Sequence, residues 1–125
     1  MEHSRLRCRD AVAFGMTEHT MIQLAASAVV HTDHGINKAI IRRARFFALP
    51  LLPATALLSA HGGDSAMVNG KKVQVGTLGF IRNEHVPVGI APGIMRMYIR
   101  RGYLVRLVAV DGQLAGILAL RALVE

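Results

Sequence analysis

Ala66-Met-Val-Asn-Gly-Lys-Lys-Val-Gln-Val75 decides the fold of this 125-residue chain. Asn69-Gly70 accommodates the positive φ angles of a two-residue type I′ turn, and short apolar runs flank it, so the stretch reads as a β-hairpin. A second hairpin signal lies downstream: Leu104-Val-Arg-Leu-Val-Ala-Val110, an Asp111-Gly112 turn, then Gln113-Leu-Ala-Gly-Ile-Leu-Ala-Leu120. Hairpins impose antiparallel pairing.

Working outward, Arg9 to Gly15 reads as a short strand, with Asp10 interrupting an otherwise apolar Ala11-Val-Ala-Phe14. Thr17 is a good N-cap, Glu18 sits in a first turn, and Met21, Leu24, Ala25 and Ala28 share one helical face, so a helix is expected to run to about Val30. Ile36, Ala39, Ile40, Ala44 and Phe47 repeat the helical spacing, with Lys38, Arg42, Arg43 and Arg45 on the other side, and Pro50 is expected to stop this second helix. Thr55 to Ser59 is short and apolar. Leu78 to Glu84 and Ile94 to Arg101 read as two further helices, separated by a glycine-rich loop that holds Pro87 and Pro92. The fold class is therefore α+β: a mainly antiparallel twisted sheet of about six strands with two helical hairpins packed against it. No repeat, low-complexity tract or linker divides residues 1–125, which read as one domain.

Composition bounds the function. With 52% hydrophobic residues the chain can bury a core without disulfides, and its single Cys8 cannot form an internal one, which fits a reducing compartment. The longest apolar segment, Phe46 to Ala60, is broken by Pro50 and Pro53 and is too short to span a bilayer. The N-terminus has charges with no apolar core behind them, so no secretory or transit segment is expected. The net charge of +7 comes from scattered clusters, Arg5/Arg7/Arg9, Arg42/Arg43/Arg45, Lys71/Lys72 and Arg96/Arg100/Arg101/Arg106, with little aromatic interleaving. That pattern reads as solvated faces with a general attraction to polyanions, not as a base-stacking platform for nucleic acid.

Thr32-Asp33-His34-Gly35 stands immediately before the basic amphipathic helix. Helix N-termini carry unpaired N–H groups and partial positive charge, so they accept anions, and an imidazole there offers a flat face to a purine. Glycines at Gly62 and Gly63 let backbone lie close to a ligand. Of the six histidines, His31 and His34 are three apart, with His61 possible nearby, and no metal site is expected. Asp33, Asp64 and Asp111 lack a partnered base or nucleophile, so no catalysis is expected from this chain alone.

Four segments carry a resemblance, in order: Leu24-Ala-Ala-Ser27; Thr32-Asp-His-Gly-Ile-Asn-Lys-Ala-Ile40; Gly63 ahead of Val68-Asn-Gly-Lys-Lys-Val-Gln-Val-Gly76; and Val108-Ala-Val-Asp-Gly-Gln-Leu-Ala-Gly-Ile-Leu-Ala-Leu120. Together they resemble the nucleotide-binding (N) domain of heavy-metal-transporting P-type ATPases over nearly the whole chain. The family's D-K-T-G-T, T-G-D and G-D-G-x-N-D motifs do not occur here. The resemblance thus implies an excised or stand-alone N domain, without phosphorylation, actuator or membrane domains. It implies an ATP-binding module, taking ATP as Mg-ATP or ADP, that presents ATP to a phosphorylation domain outside this chain. The parent would be a translocase in the cell membrane with this domain on the cytoplasmic face, and neither membrane insertion nor specific nucleic-acid binding is implied.

The resemblance places the nucleotide contacts at His34, Asp33 and Thr32, at the loop glycines Gly62 and Gly63, and at Gly76 and Thr77 after the hairpin. His34 matches the histidine of the family's S-E-H-P signature. Four positions depart from the pattern. Val29 stands where the family carries a glutamate that contacts the adenine amino group, His61 replaces the first loop glycine, Gly35 replaces a proline, and Asp64 replaces an apolar residue beside the presumed nucleotide. These departures imply weak binding and leave open an alternative: a degenerate N-like domain that binds no nucleotide and serves as a regulatory or polyanion-interaction module.

Overall fold

The computed structural model describes residues 5–123, which fold into a single six-stranded sheet with two pairs of helices. In chain order the elements are β1 (Leu6–Ala13), α1 (Glu18–Val29), α2 (Gly35–Phe46), β2 (Ala54–Ala60), β3 (Gly63–Val68), β4 (Lys71–Gly76), α3 (Leu78–Asn83), α4 (Ala91–Arg100), β5 (Leu104–Val110) and β6 (Gln113–Ala122). The sheet order is β1-β6-β5-β4-β3-β2, and each neighbouring pair is antiparallel. Both expected hairpins form, with Asn69, Gly70, Asp111 and Gly112 at positive φ.

The two helical pairs occupy opposite faces of the sheet. α1 and α2 cover one face through Met21, Ile22, Val29 and Ile40, which pack with Val68, Val75, Val108, Leu118 and Leu120. α3 and α4 cover the other through Ile81, Met95 and Tyr98, against Leu107, Ala109, Ile117 and Ala119. Because both faces of β5 and β6 are buried, these strands read as near-continuous apolar runs and not as alternating ones. Ser27 ties the first helix to the chain entering β2: its hydroxyl donates to the Gln23 carbonyl at 2.7 Å and accepts from Leu52 N–H at 2.9 Å.

Several boundaries differ from expectation by a few residues, three of them for a clear local reason. β1 starts at Leu6, three residues early, because a bulge between Cys8 and Asp10 lets Arg9 leave the ladder without ending it. α2 ends at Phe46, ahead of Pro50: Ala48 takes φ 55° and the Leu49 amide returns to Ala44 O, so backbone geometry ends the helix before the proline is reached. α4 starts at Ala91, with Pro92 inside its first turn, where a missing N–H costs nothing. β2, at the sheet edge, is largely exposed and is interrupted at Ala56, whose φ is 52°. Such a kink discourages edge-to-edge pairing.

The bulge in β1 also explains Asp10. Its carboxylate accepts from the Tyr98 hydroxyl at 2.6 Å, joining β1 to α4. Burial, followed by this hydrogen bond to Asp10, pushes the Tyr98 phenol up to about 12 from an ordinary value of 10.0. A pKa raised by folding contributes stability that is complete below the unfolded value and fades as pH climbs through the folded one. The expected result is a loss of stability between about pH 10 and 12 that is absent from Tyr98→Phe, read from urea midpoints of the two proteins across that range. Nearby, burial pushes the Cys8 thiol up to about 11, so it stays protonated at neutral pH.

Candidate functional site

The N-terminus of α2, the end of β2 and the edges of β3, β4 and β5 enclose a half-open cleft of about 460 Å³. It lies on the sheet face that carries α1 and α2. Thr32, Asp33, His34, Gly62, Gly63 and Gly76 all line it, so six of the seven expected site residues converge there. Thr77 does not. It caps α3, its hydroxyl accepting from Phe80 N–H at 3.2 Å, and it lines a neighbouring groove with His61, Phe80 and Glu84.

His34 is the N-cap of α2, with φ −74° and ψ 136°. Its Nδ1 accepts from Ile36 N–H at 3.2 Å. An acceptor at Nδ1 puts the ring proton of the neutral imidazole on Nε2. Asp33 is held differently. Its carboxylate meets Lys38 Nζ at 2.8 Å in a solvent-exposed pair, and the hydrogen bond and charge of Lys38 lower its pKa. The rim of the cleft therefore pairs its acid with Lys38, while the Ile36 and Lys38 amides of the first helical turn are held by His34 itself.

The glycines have a cause other than ligand clearance. Gly63 and Gly76 are directly opposite one another across β3 and β4. A Cβ on Gly63 would fall 2.3 Å from Phe80, and one on Gly76 would fall 2.5 Å from Phe80 and 2.6 Å from the Gly62 carbonyl oxygen. The Phe80 ring thus fills the space that the two glycines vacate. Gly62, at φ 86°, makes the turn from β2 into β3 and accepts from Thr77 N–H at 2.9 Å.

Asn37, Ser59, Asp64 and Arg106 complete the lining. Asn37 is buried, and its Nδ2 donates both to Thr32 Oγ1 at 2.6 Å and to Asp64 Oδ2 at 2.9 Å. Ser59 Oγ donates to Asp64 Oδ1 at 2.6 Å. Thr32 Oγ1 in turn donates to the Val29 carbonyl at 3.0 Å. Val29 itself is fully buried in the helix-face core, so its side chain offers nothing to the cleft. Arg106 supplies a cation from β5: it sits opposite Leu118 in the ladder, its Nη1 donates to Val105 O at 2.9 Å, and burial lowers its pKa.

Neither Asn37 nor Arg106 was identifiable as a site residue from the sequence. Asn37 lies one helical turn beyond His34 on the inward face, where a polar residue is a signal. Arg106 interrupts an apolar strand in the same way. Asn37→Ala would leave the Thr32 hydroxyl and the Asp64 carboxylate each short of a partner, and it is expected to lower unfolding stability by about 1–3 kcal/mol in urea titrations.

Solved structures place this architecture. The N-domain of a copper-transporting P-type ATPase superposes with a TM-score of 0.76 and 26% identity, covering 94% of this chain and 100% of that one. A zinc-transporting PIB-type ATPase gives 0.86 at 24% identity, covering 97% of this chain and 20% of that chain, a likeness of fold. The fold is that of a P-type ATPase N domain. Among curated proteins, the copper-exporting P-type ATPase of Bacillus subtilis is 32% identical over 115 residues, 90% of this chain, and that of Staphylococcus saprophyticus is 29% identical over 99 residues, 78% of this chain. The chain spans 14% and 12% of the length of these relatives. No protein-family model matches. The chain belongs to the N domains of the heavy-metal-transporting P-type ATPases.

Proposed function

We propose that the cleft between α2 and the edge of the sheet binds ATP or ADP, and that the domain presents ATP to the phosphorylation domain of a metal-transporting pump. What carries this reading is the convergence of His34, Gly62, Gly63 and Gly76 on one cleft at a helix N-terminus. The fit is chemical as well as steric. About 460 Å³ is within the range of small-molecule sites. The backbone at Gly62 and Gly63 forms part of the cleft wall, the His34 ring gives a stacking face, and Arg106 supplies a cation for a phosphate or an acceptor edge. Asp64 faces the same space, so magnesium accompanying the phosphates would offset its charge. These residues bind and orient; phosphoryl transfer belongs to groups outside this set.

In the parent pump, actuator and phosphorylation domains would be the partners, and the domain would lie on the cytoplasmic face of the membrane. No helix among the described residues is long and apolar enough to cross a bilayer. Binding is expected to be weak, in the high-micromolar to millimolar range.

Asp64 favours a second reading, in which the cleft has lost nucleotide and the basic surface serves a regulatory or polyanion-binding role. Adding ADP to isotopically labelled protein separates the two. Shifts of the amides of His34, Gly63 and Gly76 support nucleotide binding. Unmoved amides, together with salt-sensitive binding of an oligonucleotide, support the second reading.

A further inference from the structure

A second groove lies between the later turns of α2 and the edge strand β1. It holds about 260 Å³ and shares no lining residue with the cleft at the start of α2. Four arginines line it, Arg42 and Arg43 from the helix and Arg7 and Arg9 from the strand, and none of its described lining residues is acidic. The bulge in β1 makes the groove one-sided in charge. Arg9 leaves the ladder there and stays at the groove, whereas the acid beside it, Asp10, accepts from Tyr98 on the other face of the sheet.

The cations are gathered and held. The Nη1 atoms of Arg7 and Arg42 both donate to the Leu6 carbonyl oxygen, at 2.8 and 3.3 Å, so two guanidinium groups meet at one acceptor. The Arg43 guanidinium stacks 4.6 Å from the Phe47 ring centroid and 5.2 Å from that of Phe46. Its buried Nε has no hydrogen-bond partner among the described residues. A cation in the last turn of a helix complements the helix dipole, which accounts for Arg43. It does not account for Arg9, which a strand brings to the same place. Like charges gathered at one groove raise a positive potential there, complementary to an anionic partner.

The apolar part of the groove narrows the choice of anion. Phe46 is 73% exposed, and the buried Cys8 and Ala39 also line the groove. A nucleic-acid strand takes successive stacking rings, and Phe46 is the one aromatic ring in the described lining. A free phosphate has no use for an apolar wall. A peptide that carries carboxylates beside an apolar side chain uses the arginines and the ring together.

We propose that this groove docks an acidic peptide segment of a partner protein, with its carboxylates on the arginines and an apolar side chain against Phe46. The assignment is independent of nucleotide binding in the cleft. It is tested by fluorescence anisotropy of the 125-residue chain with labelled Glu-Glu-Leu-Glu-Glu and Glu-Glu-Ser-Glu-Glu peptides at low salt. The leucine peptide is expected to bind about fivefold more tightly than the serine one. Arg9→Glu should weaken it by about five- to tenfold, whereas Arg96→Glu, the same change of charge at an exposed position on α4, should weaken it by less than about twofold. Phe46→Ser should bring the two peptides to equal affinity, with urea midpoints checking that each variant is folded. Equal losses from Arg9→Glu and Arg96→Glu would reduce the effect to net charge and overturn the proposal. Indifference to the leucine, no binding of either peptide, or tighter binding of an oligonucleotide of the same charge would also overturn it.

Discussion

Gly76→Ala is expected to destabilise the domain by about 2–3 kcal/mol, and removing the Phe80 ring should not rescue it. Two kinds of atom stand where the new Cβ would go: the Phe80 ring at 2.5 Å, and backbone at 2.6 Å from Gly62 O and 2.9 Å from Gly63 Cα. A ring can rotate or be deleted, whereas backbone locked in the β3–β4 ladder cannot give way cheaply. Gly63→Ala provides the contrast, because the three nearest atoms to its Cβ all belong to Phe80, at 2.3 to 2.5 Å. Alone it should cost a similar amount. In a Phe80→Ala background it should cost less than about 0.5 kcal/mol, giving a coupling near 2 kcal/mol, whereas Gly76→Ala should keep most of its penalty there. Urea midpoints of the five proteins and the unaltered chain measure both terms. Equal rescue of the two alanines would mean that the β3–β4 backbone yields, and that the glycines answer only to the ring.

This result bears on how much of the site could be read from sequence. Gly63 and Gly76 stand out in the chain, and close approach of a ligand is a sound reason for a glycine. Yet the reason visible in the structure is a phenylalanine four residues after Gly76, on the opposite sheet face from the cleft. Sequence spacing shows which residues neighbour one another along a strand but not what packs above them. Thr77 illustrates the same limit: a polar residue after a strand reads equally as a ligand contact or as a helix cap, and its hydroxyl is occupied by the Phe80 amide. The elements themselves were far more legible. Asn69-Gly70 and Asp111-Gly112 are turns whose chemistry is local, and they determine the pairing of β3 with β4 and of β5 with β6. The placement of α1 and α2 on one face and α3 and α4 on the other was not legible, because apolar runs buried on both sides carry no alternation to say which face is which. Asn37 and Arg106 are not legible as site residues for a related reason: each is a single polar residue in an apolar pattern, and only the fold brings both to the lining of one cleft.

His34 carries two roles that substitution can separate. Its Nδ1 caps α2 through the Ile36 amide at 3.2 Å, and its ring lines the cleft. His34→Ala removes both, so it is expected to lower stability by about 1 kcal/mol and to weaken nucleotide binding by roughly ten- to a hundredfold, the range given by losing one base-stacking contact. His34→Asn restores a good capping side chain and provides no ring, so stability should return to near that of the unaltered chain while affinity stays low. His34→Phe does the reverse: a stacking face is kept without a cap, and affinity should recover in part while the helix remains weakened. Thermal or urea unfolding reads the first role, and titration with nucleotide reads the second. The two readouts must dissociate if the ring meets the base. Should His34→Asn bind nucleotide as tightly as the unaltered chain, the imidazole would be a helix cap alone, and the nucleotide would owe its binding to the backbone amides at the start of α2 together with Asp64 and Arg106.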